Sequence, residues 1–253
     1  MVKNMNLKVL GCVSPVCTSL DNLSGYLVSV NNEKILLDAG NGITKELSLP
    51  NDLTNLKIII THLHPDHYLE IYNIINLVKA YKRNQIPLTP IELYIPSKPS
   101  NIYRMIKKEN NGTLILKRYN ERTKILNSSY NVTFCKVIHG DMESYAVKIN
   151  NHYLNFVYTG DTSNFSLNSL VKFSEKANTI LCDASLLRVE GVSNDRYHMT
   201  AHEASNYARL SNTSKLILTH FSSLGKDDNK ILLEAANNFE NVVLAKTGET
   251  YNL

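Results

Sequence analysis

Apolar and β-branched residues fall into short runs along this chain, the pattern of buried and half-buried strands. The runs predict strands at 7–11, 26–30, 34–37, 57–61, 91–95, 113–116, 131–138, 144–149, 153–158, 179–182, 215–219 and 242–246. Between 65 and 84 the spacing changes, and Leu69, Tyr72, Ile75, Leu77, Val78 and Tyr81 recur at helical intervals. Pro87 and Pro90 close that helix. Shorter helices are expected at 102–108, 167–176, 200–210 and 229–239. The one at 200 opens as Thr200-Ala201-His202-Glu203, the spacing of a capping box with Thr200 as N-cap. No Pro-, Gly- or Ser-rich linker divides the 253 residues, so a single domain spanning 1–253 is expected.

One stretch has an echo. Lys57-Ile58-Ile59-Ile60-Thr61-His62 is matched by Lys215-Leu216-Ile217-Leu218-Thr219-His220. In both, an apolar strand delivers a histidine just past its C-terminal end. Two similar halves presenting ligands to a shared edge would account for this.

Composition changes the picture little. Hydrophobic residues at 43% and charged residues at 20% exclude wholesale disorder. No uninterrupted apolar run reaches the ~18 residues of a membrane span, and Met1 to Asn6 lacks the apolar core of a signal peptide. Cys12, Cys17, Cys135 and Cys182 are too few for a disulfide framework and read as thiols of a reducing, cytoplasmic compartment. A net charge of +4 suits an anionic substrate without demanding nucleic acid.

The histidines say more. Thr61-His62-Leu63-His64-Pro65-Asp66-His67 holds three of the chain's 8 histidines beside an aspartate. His62 and His64 are two apart, so on an extended segment their rings face one way and can share an ion. Pro65 suits the first turn of a helix and places Asp66 and His67 at its N-terminus. Rotated away from the first pair, those two offer ligands to a second ion. Mixed imidazole and carboxylate donors suit zinc by default, with manganese or iron as alternatives.

His62-x-His64-x-Asp66-His67 after an apolar strand resembles the signature of the metallo-β-lactamase superfamily, and further motifs follow in that family's order over nearly the whole chain. Leu36-Leu37-Asp38-Ala39-Gly40 resembles its acidic first motif, His139 its third-motif histidine, Gly160-Asp161-Thr162 its fourth motif and His220 its fifth-motif histidine. The resemblance implies an α/β (α+β) fold, a four-layer αββα sandwich with a dinuclear site at one edge. It also implies that His62, His64 and His139 bind one divalent ion. Asp66, His67 and His220 would bind a second, with Asp161 bridging the two and Asp38 supporting from behind. Asp161 stands where true β-lactamases of this fold commonly have Cys, which argues against antibiotic hydrolysis.

Tyr197-His198-Met199-Thr200-Ala201 is similar to a segment of the ribonuclease Z-like branch, and Cys182-Asp183-Ala184-Ser185 resembles the acidic partner motif. The catalytic residues implied are His198, Asp183 and Asp66, with Asp183 orienting His198 as a general acid. The helix at Thr200 would point its positive end toward an anionic substrate. His202 is read as an ordinary residue of that helix. The branch's transfer-RNA-gripping arm has no room here, since His139 and Asp161 are only 22 positions apart. Lys107, Lys108, Lys117, Arg118, Arg122 and Lys124 are read as a solvated face rather than a phosphate-backbone track, and 186–197, with Arg188, Arg196 and Tyr197, as either a substrate flap or a plain surface connection.

The implied activity is a dinuclear metal-dependent hydrolase. It is expected to be a phosphodiesterase that uses a metal-bridging hydroxide on a small-molecule or single-stranded phosphodiester, such as a cyclic nucleotide, a cyclic phosphate or an oligonucleotide end. The alternatives are a nuclease of the same fold, a thioester or lactone hydrolase, and a metal-stabilised binding protein without turnover. No membrane partner is expected, and the resemblance allows a homodimer.

Overall fold

Leu36 and Leu37 are both fully buried although they face opposite ways, and that double burial explains why the strands read as continuous apolar runs. The computed structural model describes residues 5–187, 195–225 and 227–253. The amino-terminal part forms β1 (Met5–Gly11), β2 (Val13–Ser14), β3 (Gly25–Val30), β4 (Glu33–Leu37), β5 (Leu56–Ile59), β6 (Glu92–Ile95) and β7 (Ile115–Arg118). The rest supplies β8 (Lys124–Leu126), β9 (Asn131–His139), β10 (Met142–Asn150), β11 (Asn155–Tyr158), β12 (Thr179–Asp183) and β13 (Lys215–Thr219). It ends with β14 (Phe221–Ser222), β15 (Val242–Leu244) and β16 (Thr250–Asn252). Among the described residues these make two large sheets, ordered β16-β1-β3-β4-β5-β6-β7 and β15-β13-β12-β11-β10-β9-β8. The short β14-β2 pair links them.

Alternate residues of each strand point to opposite faces. In β4, Ile35 and Leu37 enter the core between the sheets, while Leu36 faces outward. The outward face is covered by α1 (Pro65–Tyr68), α2 (Ile71–Arg83) and α3 (Ser100–Asn110). The second sheet is covered by α4 (Leu167–Phe173), α5 (Ala201–Leu210) and α6 (Asp228–Ala236), through Leu170, Ala204, Tyr207, Ala208 and Ile231. The result is the expected four-layer αββα sandwich.

The two echoing strands occupy matching places. β5 lies between parallel β4 and β6, and β13 between parallel β12 and β15. The halves are not contiguous in sequence, however. β16, half polar and unmarked by any apolar run, pairs antiparallel with β1 and returns the C-terminus to the first sheet.

The helix expected at 65–84 is broken after Tyr68. The turn at Ala39 interrupts it: Ala39 N donates to His67 O at 2.7 Å, and Glu70 N donates to Ala39 O at 2.9 Å. The Glu70 side chain is buried and accepts from Gly42 N at 3.1 Å and from the Thr44 hydroxyl. Gly40 is required at this crossing, because a Cβ there would meet Asp66 O at 2.3 Å.

The capping box at α5 is formed. Thr200 Oγ1 accepts from Glu203 N at 3.1 Å, and Glu203 Oε2 accepts from Thr200 N at 2.9 Å. Thr200→Ala should therefore lower unfolding stability by about 1 kcal/mol, seen as a lower urea midpoint at unchanged denaturant slope.

Candidate metal centre

β5 and β13 both run toward the same edge of the sandwich, so residues just past their ends converge there. His62 and His220 are those residues, and both are buried. His64 follows His62 on extended backbone as the N-cap of α1, and Pro65 sits in the first turn. Asp66 and His67 then turn inward. The second sheet brings His139 from the end of β9 and Asp161 from the loop after β11.

The side chains form two clusters. In the first, His64 Nδ1 lies 3.0 Å from His62 Nε2 and 2.9 Å from His139 Nε2. In the second, His67 Nε2 lies 3.2 Å from His220 Nε2, and each is 3.6 Å from Asp66 Oδ2. Asp161 Oδ2 belongs to both. It is 3.2 Å from His67 Nε2 and His220 Nε2, 3.6 Å from His62 Nε2 and 3.7 Å from His139 Nε2. All seven residues carried over from the resemblance as ligands are brought together, and Asp161 stands where a bridge would.

The donor set fits divalent ions. Ligands held at about 2.0–2.1 Å from one tetrahedral ion lie roughly 3.3 Å from each other, close to the separations here. Asp161 Oδ1 is buried with no hydrogen-bond partner among the described residues, an orphan that an ion would satisfy. The second nitrogens of four histidines are engaged outside the clusters. His62 Nδ1 faces Thr61 Oγ1 at 3.1 Å, and His67 Nδ1 faces Asp38 Oδ2 at 2.8 Å. His139 Nδ1 faces Tyr197 O at 2.7 Å, and His220 Nδ1 faces Ser185 Oγ at 2.7 Å. With those nitrogens donating and an ion displacing any proton on Nε2, each Nε2 would present its lone pair inward, the arrangement that orients histidine ligands.

The electrostatics differ between the clusters. Burial pushes His62, His64 and His139 below the usual histidine range, with neighbouring imidazoles adding to it. At His220 burial acts in the same direction, but Asp161, Asp183 and Asp66 outweigh it and push the ring up to about 10. His67 is likewise raised, because Asp161, Asp66 and Asp38 overcome its burial.

Asp38 anchors the edge. Oδ1 accepts from Thr61 N at 2.7 Å, while Oδ2 accepts from Thr61 Oγ1 at 2.9 Å and from the Tyr158 hydroxyl at 2.8 Å besides facing His67. Asp38 and His220 both sit at positive φ, 59° and 61°, a region that Asp and His enter more readily than most residues.

The His198 ring lies over the centre, 5.1 Å from both the His139 and His220 rings. Its Nδ1 is 2.9 Å from Asp183 Oδ2. Burial opposes charge on His198, but the Asp183 carboxylate outweighs it and raises its pKa. Ser185 Oγ also reaches Asp183 Oδ1 at 2.7 Å, so one carboxylate serves His198 directly and His220 through a hydroxyl.

Other sequence expectations fare variously. His202 lies in the first turn of α5 and accepts from Asn238 Nδ2 at 2.9 Å, outside both clusters. Within the basic stretch, Lys117 is paired with Glu92, and Arg118 stacks 4.0 Å from the Tyr103 ring centre. Residues 188–194 of the expected flap, Arg188 among them, lie outside the described residues. Tyr158, Ser14 and the Ser185 hydroxyl were missed as site residues. Ser14 Oγ donates to Asp66 Oδ2 at 2.9 Å. No local pattern marks a lone Ser or Tyr for such a task, although Ser185 stands inside a quoted motif.

A model of the beta-lactamase superfamily domain matches residues 33–221. The chain belongs to the beta-lactamase superfamily. Within that superfamily it is similar to ribonuclease Z proteins. It is 30% identical over 241 residues to ribonuclease Z 2, mitochondrial, of Schizosaccharomyces pombe, covering 87% of this chain but only 34% of that protein. It is 23% identical to ribonuclease Z of Chlamydia muridarum, covering 95% of this chain and 94% of that one. That alignment spans 291 positions, more than this chain has, so the relative carries segments absent here. Among solved structures, the metallo-beta-lactamase fold protein YhfI from Bacillus subtilis superposes with a TM-score of 0.88 at 21% identity, covering 99% of this chain and 100% of that one.

As a ribonuclease Z-like member of the superfamily, the chain has no inserted arm between His139 and Asp161. Two turns, β10 and β11 occupy that interval. No helix among the described residues is long and apolar enough to cross a membrane. Asp38→Ala should weaken divalent-metal affinity 10–100-fold, as loss of a ligand's supporting partner commonly does. Competition with a chromogenic chelator would measure it.

Proposed function

We propose that this chain, a metal-dependent hydrolase of phosphoester bonds, holds two divalent ions, zinc by donor set, and cleaves small or single-stranded phosphodiesters. The observation that carries this reading is Asp161 Oδ2 shared between two ligand clusters, with the Asp183-held His198 directly over them. We read residues 1–253 as one catalytic unit because both sheets supply ligands. The four cysteines form no disulfide among the described residues, which supports a reducing compartment, the cytoplasm.

When bound, paired ions polarise a phosphoryl oxygen and lower the pKa of water. The chain's own residues do the rest. His62, His64 and His139 hold one side of the centre, Asp66, His67 and His220 the other. The oxygen of water bonds to phosphorus as water gives one proton up to solvent, the ester P–O bond breaks, and the departing oxygen takes a proton from His198 Nε2, which solvent then restores. Asp183 keeps His198 Nδ1 occupied, so Nε2 is the nitrogen left to face substrate. Asp183 is itself held well below the usual carboxylate range; burial opposes this, and His198 and His220 overcome it. The positive end of α5, two residues beyond His198, favours the phosphate charge.

A phosphodiester explains the Asp183–His198 pair better than a thioester does, since an alkoxide leaving group needs a proton that a thiolate does not. Two ligand clusters sharing Asp161, with His198 held over them, also exceed what a binding protein without turnover requires.

Protein purified without chelator should contain about two ions per chain and hydrolyse bis(p-nitrophenyl) phosphate. Chelation should abolish turnover and zinc or manganese restore it. Absence of stoichiometric metal after reconstitution would overturn the reading. His198→Ala should slow esters of poor leaving groups about 10²–10⁴-fold, and p-nitrophenyl esters far less, because p-nitrophenolate departs without a proton. Equal slowing of both would remove His198 from the acid role.

A further inference from the structure

A pocket of about 570 Å³ opens beside the first ligand cluster, and His64 and His139 form part of its wall. Its other walls come from the β9–β10 turn, from Lys98, Pro99 and Ser100 at the start of α3, and from Tyr197. Tyr197 is 51% exposed although it adjoins the most buried part of the molecule.

The Tyr197 ring is held in place. Its carbonyl accepts from His139 Nδ1 at 2.7 Å, and the preceding Arg196 O accepts from Gly140 N at 2.7 Å. Tyr197 N and His198 N both donate to Asp195 Oδ1, at 2.6 and 2.8 Å. The ring stands edge-on to His139, with centres 5.6 Å apart and planes at 89°. It fits only because residue 140 is glycine: at φ +56° any Cβ would lie 2.3 Å from Tyr197 Cε1. An aromatic surface is thus fixed beside the reacting centre with half its area open.

The facing wall is also prepared. Glu143 Oε2 accepts from Lys98 N at 2.8 Å and Oε1 from the Tyr145 hydroxyl at 2.8 Å, so both oxygens serve to hold the wall. The Lys98 ammonium has no ion-pair partner among the described residues and stands at the pocket, as do the apolar surfaces of Pro99 and Met142. A flat aromatic group could lie on Tyr197, with Pro99 and Met142 contributing the pocket's apolar wall. Asp141 and Ser100 offer polar contacts to its edge.

From this we infer that the pocket seats the nucleobase of a nucleotide whose phosphate lies at the metal centre. The substrate class is then a nucleoside phosphodiester, and simple alkyl or sugar diesters leave the pocket unused. Placing the phosphate at the metals rests on the hydrolase reading above. The base platform rests on Tyr197 and the pocket.

The test uses two ligands that differ by the base alone, adenosine 5′-monophosphate and ribose 5-phosphate, titrated calorimetrically into the zinc-loaded full chain. The nucleotide should bind roughly tenfold tighter, the scale of one base–aromatic stack. Tyr197→Ala should erase that ratio, and Tyr197→Phe should keep it. Ser100→Trp, which fills the pocket from the opposite wall, should erase it too, and it decides the matter if Tyr197→Ala loses metal. Equal affinity of the two ligands for the unaltered protein would overturn the base pocket, as would a ratio indifferent to Tyr197→Ala and Ser100→Trp. Turnover of bis(p-nitrophenyl) phosphate is read separately. A base preference without turnover would sink the hydrolase reading and leave the pocket standing, and turnover without a base preference would do the reverse.

Discussion

The buried carboxylate of Asp38 is the contact on which the edge of this sandwich depends. It gathers the Thr61 backbone and hydroxyl from the end of β5, the His67 imidazole from α1 and the Tyr158 hydroxyl from β11. A carboxylate without partners there would be strongly unfavourable. With four it joins one sheet to the other and fixes the orientation of the His67 ring in the same act.

A second carboxylate does the corresponding work on the other side. Asp183 ends β12 and divides its two oxygens between His198 and Ser185, through which it reaches His220. His198 above the centre and His220 within it therefore share one support. Asp161 lies between these systems, lowered to about 2 because His220 and His67 outweigh the effect of burial. Negative charge is concentrated on the His67 and His220 side. The first cluster, made of imidazoles, is left less charged and opens onto the pocket that Tyr197 borders.

The interval between His139 and Asp161 is short. With two turns and two strands there, the groups that reach the opening lie close to the two clusters. The β9–β10 turn, the start of α3 and the segment ahead of His198 are the elements that reach the opening.

Much of this was legible in the residues alone. Runs such as 57–61 and 215–219 are apolar on both faces because helices and a second sheet cover them, and that pattern survives in one dimension. The cluster from His62 to His67 is legible for the same reason: its ligands are neighbours in sequence, on a strand end and a helix start whose periods fix their directions. The capping box at Thr200 is another local pattern. Long-range contacts left no such trace. The break after Tyr68 comes from a turn some thirty positions earlier, and β16 is a strand only because β1 offers it an edge. Tyr158 meets Asp38 across 120 positions, and Tyr197 becomes an open platform only where Gly140 lets it lie. Periodicity records which face of an element is buried. Which elements meet, and which side chains share a hydrogen bond there, is decided by packing in three dimensions.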